Sequence, residues 1–196
     1  MKVSCSQRSE RVDLKGVLID FGDTLVYADE EAHRGYVEGL LSILRRYGYQ
    51  KNLKDLDSLL GNAYFNSSKG ETKDFLEFWE LLLKDLQVPR EPALIGELEE
   101  FRNRHLISMF RLYEEAIPVL SALRKKYKLA LVSNCAIGLS EVIRALGLTS
   151  FFECIVLSYE LRVRKPDRRI YLEALRRINL EPNECVFVSD EISDLE

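Results

Sequence analysis

Val17-Leu18-Ile19-Asp20-Phe21-Gly22-Asp23-Thr24-Leu25 is the stretch whose reading decides the fold. Its three leading apolar residues close a short run over 12–19 that shows neither alternation nor helical spacing, the pattern of a strand buried on both faces. The run stops abruptly on a carboxylate. A turn glycine and a hydroxyl follow, so the strand presents Asp20 at its carboxyl end.

Three more apolar runs have the same form, at 129–132, 155–157 and 186–188. Segments of helical periodicity separate them, which predicts a parallel sheet covered on both faces by helices: an α/β, Rossmann-like three-layer domain. In such sheets ligands bind beyond the carboxyl ends of the strands. About a hundred residues lie between the first run and the second, far more than one crossover helix needs, so a separate segment is inserted there. Its periodicity is helical: Val37, Leu40, Leu41 and Leu44 share a face, as do Phe75, Phe78, Trp79 and Leu82, with Leu98, Phe101 and His105 as a third. Gly48, Gly61 and Gly70 are turn candidates within it. Pro118 suits a helix start, with Leu120, Leu123 and Tyr127 on one face after it. The expected division is a flexible N-terminus over 1–12, a core domain over 13–28 and 114–196, and a helical insertion over 29–113.

Composition narrows the class. The chain has 196 residues, 46% hydrophobic and 31% charged, enough for one catalytic domain with a modest insertion. A net charge of −4 without a long basic block argues against a nucleic-acid partner, whose footprint is electrostatic. No apolar stretch reaches membrane-spanning length, and the polar start of the chain lacks the apolar centre of a signal peptide. Cys5, Cys135, Cys154 and Cys185 have neither zinc-ligand spacing nor disulfide-scaffold density. They read as reduced apolar filler in a cytoplasmic protein.

Four constellations fall at strand ends. Asp20 is a carboxylate placed to attack phosphorus, splitting one hard displacement into two easier steps if a cation neutralises the anions brought together. Ser133 and Asn134 end the second run, where a hydroxyl and the amides after it suit a phosphoryl oxygen. Lys165, in Arg164-Lys165-Pro166-Asp167, offers a compact positive charge to nucleophile and transferring group. Asp190, Glu191 and Asp194 after the last run call for a hard cation with oxygen ligands, and beside phosphate that is magnesium. Taken singly, each has a structural reading, as a helix cap, a surface ammonium or an acid at a helix N-terminus. Their joint placement favours chemistry.

With these residues in order, the chain resembles the haloacid dehalogenase-like hydrolases over 15–194, with a helical cap of the first structural type inserted after the first strand. The resemblance implies Asp20 as nucleophile, Ser133 and Lys165 as the second and third catalytic positions, and Ser133, Asn134 and Lys165 around the phosphoryl group. It also implies Mg2+ held by Asp20, the carbonyl of Gly22, and Asp190, with Asp194 and Glu191 as further or alternative ligands. The implied substrate is a small phosphorylated metabolite, and the assembly a monomer or homodimer.

Two features depart from the family pattern. The acid/base aspartate usually stands two residues after the nucleophile, where this chain has Gly22; Asp23, one residue on, is expected to point elsewhere because side-chain direction changes at each residue. Relatives also usually continue through another helix and strand beyond the position of Glu196, so the last strand is expected to have an uncovered edge. The alternatives are a carbon–phosphorus hydrolase, using Lys69 or Lys73 of the insertion as a Schiff base, another hydrolase of this scaffold, and a catalytically weak binding or regulatory protein. His33, His105 and Trp79 read as packing or surface residues.

Overall fold

The computed structural model describes residues 13–195; the segment 1–12 expected to be flexible lies outside the described residues. In chain order come β1 (Gly16–Ile19), β2 (Val26–Ala28) and the helices α1 (Glu30–Arg46), α2 (Leu53–Ser68), α3 (Phe75–Leu86) and α4 (Pro92–His105). Then follow β3 (Phe110–Leu112), α5 (Ala116–Leu123), β4 (Lys128–Ser133), α6 (Leu139–Ala145) and β5 (Cys154–Leu157). The described chain closes with α7 (Ser158–Leu161), α8 (Arg168–Ile178) and β6 (Cys185–Val188), with a short 3-10 turn after it.

Four strands make a parallel sheet in the order β5-β4-β1-β6. Ile19 of β1 lies opposite Leu131 and Val188, so the strands end nearly level and Asp20, Ser133 and Ser189 emerge at one rim. The register is fixed by burial. Val17, Ile19, Leu129 and Leu131 point into one apolar core with α5, α6 and the inserted helices, while Leu18, Ala130, Val132 and Val156 meet Ile170, Ala174 and Ile178 of α8. A one-residue slip would exchange the two sets. The result is the expected three layers.

The four helices α1–α4 lie between β2 and β3, which pair as a two-stranded antiparallel ribbon. Asp29, Asn52 and Asp74 cap α1, α2 and α3 by accepting from the amides of Ala32, Asp55 and Glu77 at 2.9–3.0 Å. Gly39 permits the close crossing of α1 and α4, since a methyl group there would collide with the Phe101 ring. Trp79 is fully buried among these helices and its indole N–H donates to Glu99 at 2.7 Å, so it serves packing.

Several expectations change. The first strand begins at Gly16; Lys15 bonds to the carbonyl of Glu184 at 2.7 Å but lies outside the ladder. Gly48 and Gly70 are turns with positive φ, but Gly61 lies inside α2, where Leu56 and Leu60 bury one side. Tyr127 follows the end of α5 rather than extending it. The last strand, β6, stands at the sheet edge with Val186 and Val188 each 45% exposed. Among the described residues no helix is long and apolar enough to cross a membrane.

Candidate active site

At the carboxyl rim the loop between α7 and α8 folds back and buries Lys165 against the tips of β1 and β6. Its Nζ lies 2.8 Å from Asp20 Oδ1 and 2.6 Å from Asp194 Oδ2. Ser189 donates to Asp194 Oδ2 at 2.7 Å, and the hydroxyl of Tyr171 donates to the Asp194 carbonyl. One ammonium thus faces two buried carboxylates. Burial pushes the Asp20 carboxyl above its ordinary value, and the charge and hydrogen bond of Lys165 offset only part of that rise.

Lys165 is held from behind. Asn134 accepts from its backbone N–H at 2.8 Å and donates to its carbonyl at 3.1 Å, a two-point clamp on the loop. The side chain of Asn134, expected at the phosphoryl group, is therefore committed to the lysine backbone. The amides after Ser133 are partly taken as well: Cys135 N–H donates to Ser158 Oγ at 3.0 Å and Ile137 N–H to Ser67 Oγ at 3.1 Å. Ser158 in turn donates to the carbonyl of Ser68 at 2.8 Å, so the end of α2 is tied to the loops of the sheet. Ser133 itself ends β4 and lines the cavity described below.

The metal donors expected from sequence divide into two groups. Asp20 Oδ2 has only a 3.5 Å contact with Ser189, and the exposed Asp190 only a 3.4 Å contact with Thr24. The Gly22 carbonyl stands between them in sequence, and this all-oxygen set suits a hard cation. Asp194 instead neutralises Lys165, and Glu191 is exposed and accepts from Ser193 at 3.1 Å. Among the described residues no three His, Cys, Asp or Glu side chains gather as a metal cage, so a cation here would use two carboxylates, a carbonyl and water.

A cavity of about 320 Å³ opens beside the rim, with Phe21, Gly22, Ser133 and Asn134 on the sheet side and His33, Tyr36 and Tyr64 on the helical side. A larger hollow of about 670 Å³, between α3 and α4 near Arg102 and Glu141, contains none of the four strand-end constellations. A Cβ added at Gly22 meets nothing within 4 Å. Asp23 is exposed in the left-handed conformation and is not part of the cavity wall, as its displaced position predicts. Lys69 sits over the Phe65 ring at 4.2 Å, and neither it nor Lys73 lines the cavity. The residue that sequence reasoning missed is His33: it lines the cavity, and its Nε2 is 3.0 Å from Asp57 Oδ1 of α2. The two are 24 positions apart on separate helices, and no local pattern joins them.

The comparisons with known proteins agree with this architecture. The haloacid dehalogenase-like hydrolase family model matches residues 14–196. A glyceraldehyde 3-phosphate phosphatase of Methanopyrus kandleri is 29% identical over 91% of this chain and 76% of its own length. An (S)-2-haloacid dehalogenase of a Pseudomonas species is 30% identical over 62% of this chain and 55% of its own. Among solved structures, an HAD phosphatase from Thermococcus onnurineus matches with a TM-score of 0.66 and 22% identity, over 92% of this chain and 79% of that one. An HAD family enzyme from Bacteroides thetaiotaomicron, in complex with magnesium and inorganic phosphate, also has a TM-score of 0.66, at 20% identity over 92% and 87%. Family match, sheet and strand-end residues converge, and the chain belongs to the haloacid dehalogenase-like hydrolases as a phosphatase-like member.

Proposed function

We propose that the chain hydrolyses phosphate monoesters of small soluble metabolites through an aspartyl-phosphate on Asp20, with Mg2+ as cofactor. The observation that carries this reading is the buried contact of Asp20 with Lys165, fixed on its far side by Asp194. A carboxylate oxygen of Asp20 attacks phosphorus. Lys165 neutralises charge as the anionic nucleophile and anionic substrate approach, and Ser133 takes a phosphoryl oxygen. Asp20, the Gly22 carbonyl and Asp190 would hold the Mg2+, which when bound would supply positive charge that offsets the repulsion of anionic nucleophile and anionic substrate. Water then releases phosphate and restores Asp20.

The helices over 29–113 act in this reading as a cap on the core formed by 13–28 and 114–196, closing the cavity over the substrate. Similarity to phosphatases named for glyceraldehyde 3-phosphate and N-acylneuraminate 9-phosphate supports a small phosphorylated sugar or sugar acid as substrate. Free thiols at Cys135, Cys154 and Cys185 suit a reducing, cytoplasmic setting.

Turnover of para-nitrophenyl phosphate should require Mg2+, cease with EDTA, and fall at least ~10⁴-fold in Asp20→Asn, because the nucleophile is then absent. Turnover persisting in Asp20→Asn would refute the covalent route, and indifference to EDTA would refute the metal.

A further inference from the structure

Gly22 leaves the leaving oxygen without a proton donor from the sheet, and the facing wall of the same cavity carries one. We propose that His33, oriented by Asp57, is the acid and base of the reaction. The proposal rests on the aspartyl-phosphate reading above.

Position comes first. Gly22 bridges to Val26, the ribbon strand β2 continues from there, and Asp29 caps α1 immediately after it. The Asp29 carbonyl accepts from the His33 N–H at 2.8 Å, so His33 stands on the first turn of a helix anchored to the nucleophile loop. It lines the cavity together with Gly22 and Ser133. Orientation comes second. The 3.0 Å contact of Nε2 with Asp57 fixes the ring and directs Nδ1 away from the carboxylate, the use of a second partner to set which imidazole nitrogen is available.

Elimination comes third. Tyr36 and Tyr64 share the helical wall, but their hydroxyls contact each other at 3.3 Å and burial raises both, making them poor acids near neutrality. Burial holds the Cys135 thiol up at about 12. The other charged groups near His33, namely Glu30 and Arg34 of α1 and Lys54 of α2, line a second hollow that His33 and Asp57 also border, and none of the three lines the cavity shared with Gly22 and Ser133.

The steps balance. As a carboxylate oxygen of Asp20 bonds to phosphorus and the bond from phosphorus to the leaving oxygen breaks, the His33 imidazolium gives its Nδ1 proton to that oxygen, and the alcohol departs. Neutral His33 then takes a proton from water as the water oxygen bonds to phosphorus. The bond from phosphorus to Asp20 breaks, phosphate leaves, and carboxylate and imidazolium are both restored.

A His–Asp pair that merely joins α1 to α2 predicts something else, and leaving-group dependence separates the two. In His33→Gln, turnover of glycerol 2-phosphate should fall about 10²-fold or more, since an alkoxide needs the proton. With para-nitrophenyl phosphate the same variant should release about one equivalent of nitrophenol in a fast burst and then turn over slowly, because the first step needs no acid and the second still needs the base. Adding Gly22→Asp to His33→Gln should restore turnover of the alkyl ester, and Asp57→Asn should show the same pattern more weakly. Alkyl turnover within about 3-fold of wild type in His33→Gln, or an equal loss on both substrates with neither burst nor rescue, overturns the role of His33. Activity surviving in Asp20→Asn instead overturns the reading beneath it.

Discussion

The two walls of the cavity are built on opposite principles. Behind the sheet side the central charges are buried and already partnered, Lys165 with Asp20 and Asp194, Asp194 with Ser189, the lysine backbone with Asn134, while Asp190 at the rim is exposed. On the helical side the surface is largely aromatic and aliphatic, and His33 with its partner Asp57 is about half exposed. Strand ends in a close-packed sheet hold groups where a displacement at phosphorus needs them. Helices linked to the sheet by a short ribbon are free to vary around the leaving group. The difference assigns fixed chemistry to one wall and variable chemistry to the other.

The largest effect should come from breaking the sheet wall at its one cation. Lys165→Met removes the ammonium from between two buried carboxylates, and loss of one partner from such a pair costs about 3–5 kcal/mol. Urea unfolding should show that loss, and turnover should vanish with it. A variant as stable as wild type would mean that both carboxylates reach water or protons without the lysine, and the contrast between the walls would collapse.

Asn134→Ala tests the same wall more gently. It deletes two hydrogen bonds to the Lys165 backbone and leaves the charges in place, so about 1–3 kcal/mol of stability should go. A displaced lysine should lower kcat by about 10-fold with little change in KM, as expected for a group that acts mainly in the transition state. A rise in KM alone would instead assign Asn134 to substrate, as its sequence position first suggests.

The same contrast separates what the amino-acid sequence reveals from what only the fold brings together. Asp20, Ser133 and Asp190 each end or closely follow a short apolar run, and sheet topology brings those tips to one rim, whereas Lys165 reaches the rim from the loop between α7 and α8 rather than from a strand end. The division of labour among acids was not legible: Asp190 and Asp194 have the same chemistry, and only the fold of the α7–α8 loop decides which one meets Lys165. Helix α2 escaped notice because Leu56 and Leu60 make a thin stripe interrupted by Gly61, a cost of about 1 kcal/mol that tertiary packing overrides. His33 escaped because its partner comes from another helix. The ribbon of β2 and β3, three residues in each strand, is shorter than any pattern period can detect.

The smallest effect concerns stability, and it bears on whether the sheet wall is strained. Burial raises the Asp20 carboxyl above its ordinary 3.8, so the folded protein holds that proton more tightly than the unfolded chain does. Its favourable contribution is therefore fully present below the ordinary carboxylate value and is lost as pH rises through the raised folded value. Near neutrality the ionised, buried Asp20 is a burden on folding. Asp20→Asn carries no charge there and leaves Lys165 paired with Asp194 alone, so without metal it should be more stable than wild type by about 1 kcal/mol, the usual scale of relief at a functional site. Urea titrations in EDTA at neutral and acidic pH provide the check: the gap should narrow as pH falls into the ordinary carboxylate range, where wild-type Asp20 also becomes neutral. Mg2+ should then close the gap from the other side, because a cation that binds the ionised carboxylate stabilises wild type increasingly as its concentration rises above its dissociation constant. An Asp20→Asn protein less stable than wild type in EDTA would show that attraction to Lys165 outweighs burial, and the sheet wall would then be a stabilising ion network rather than a site held against its own folding energy.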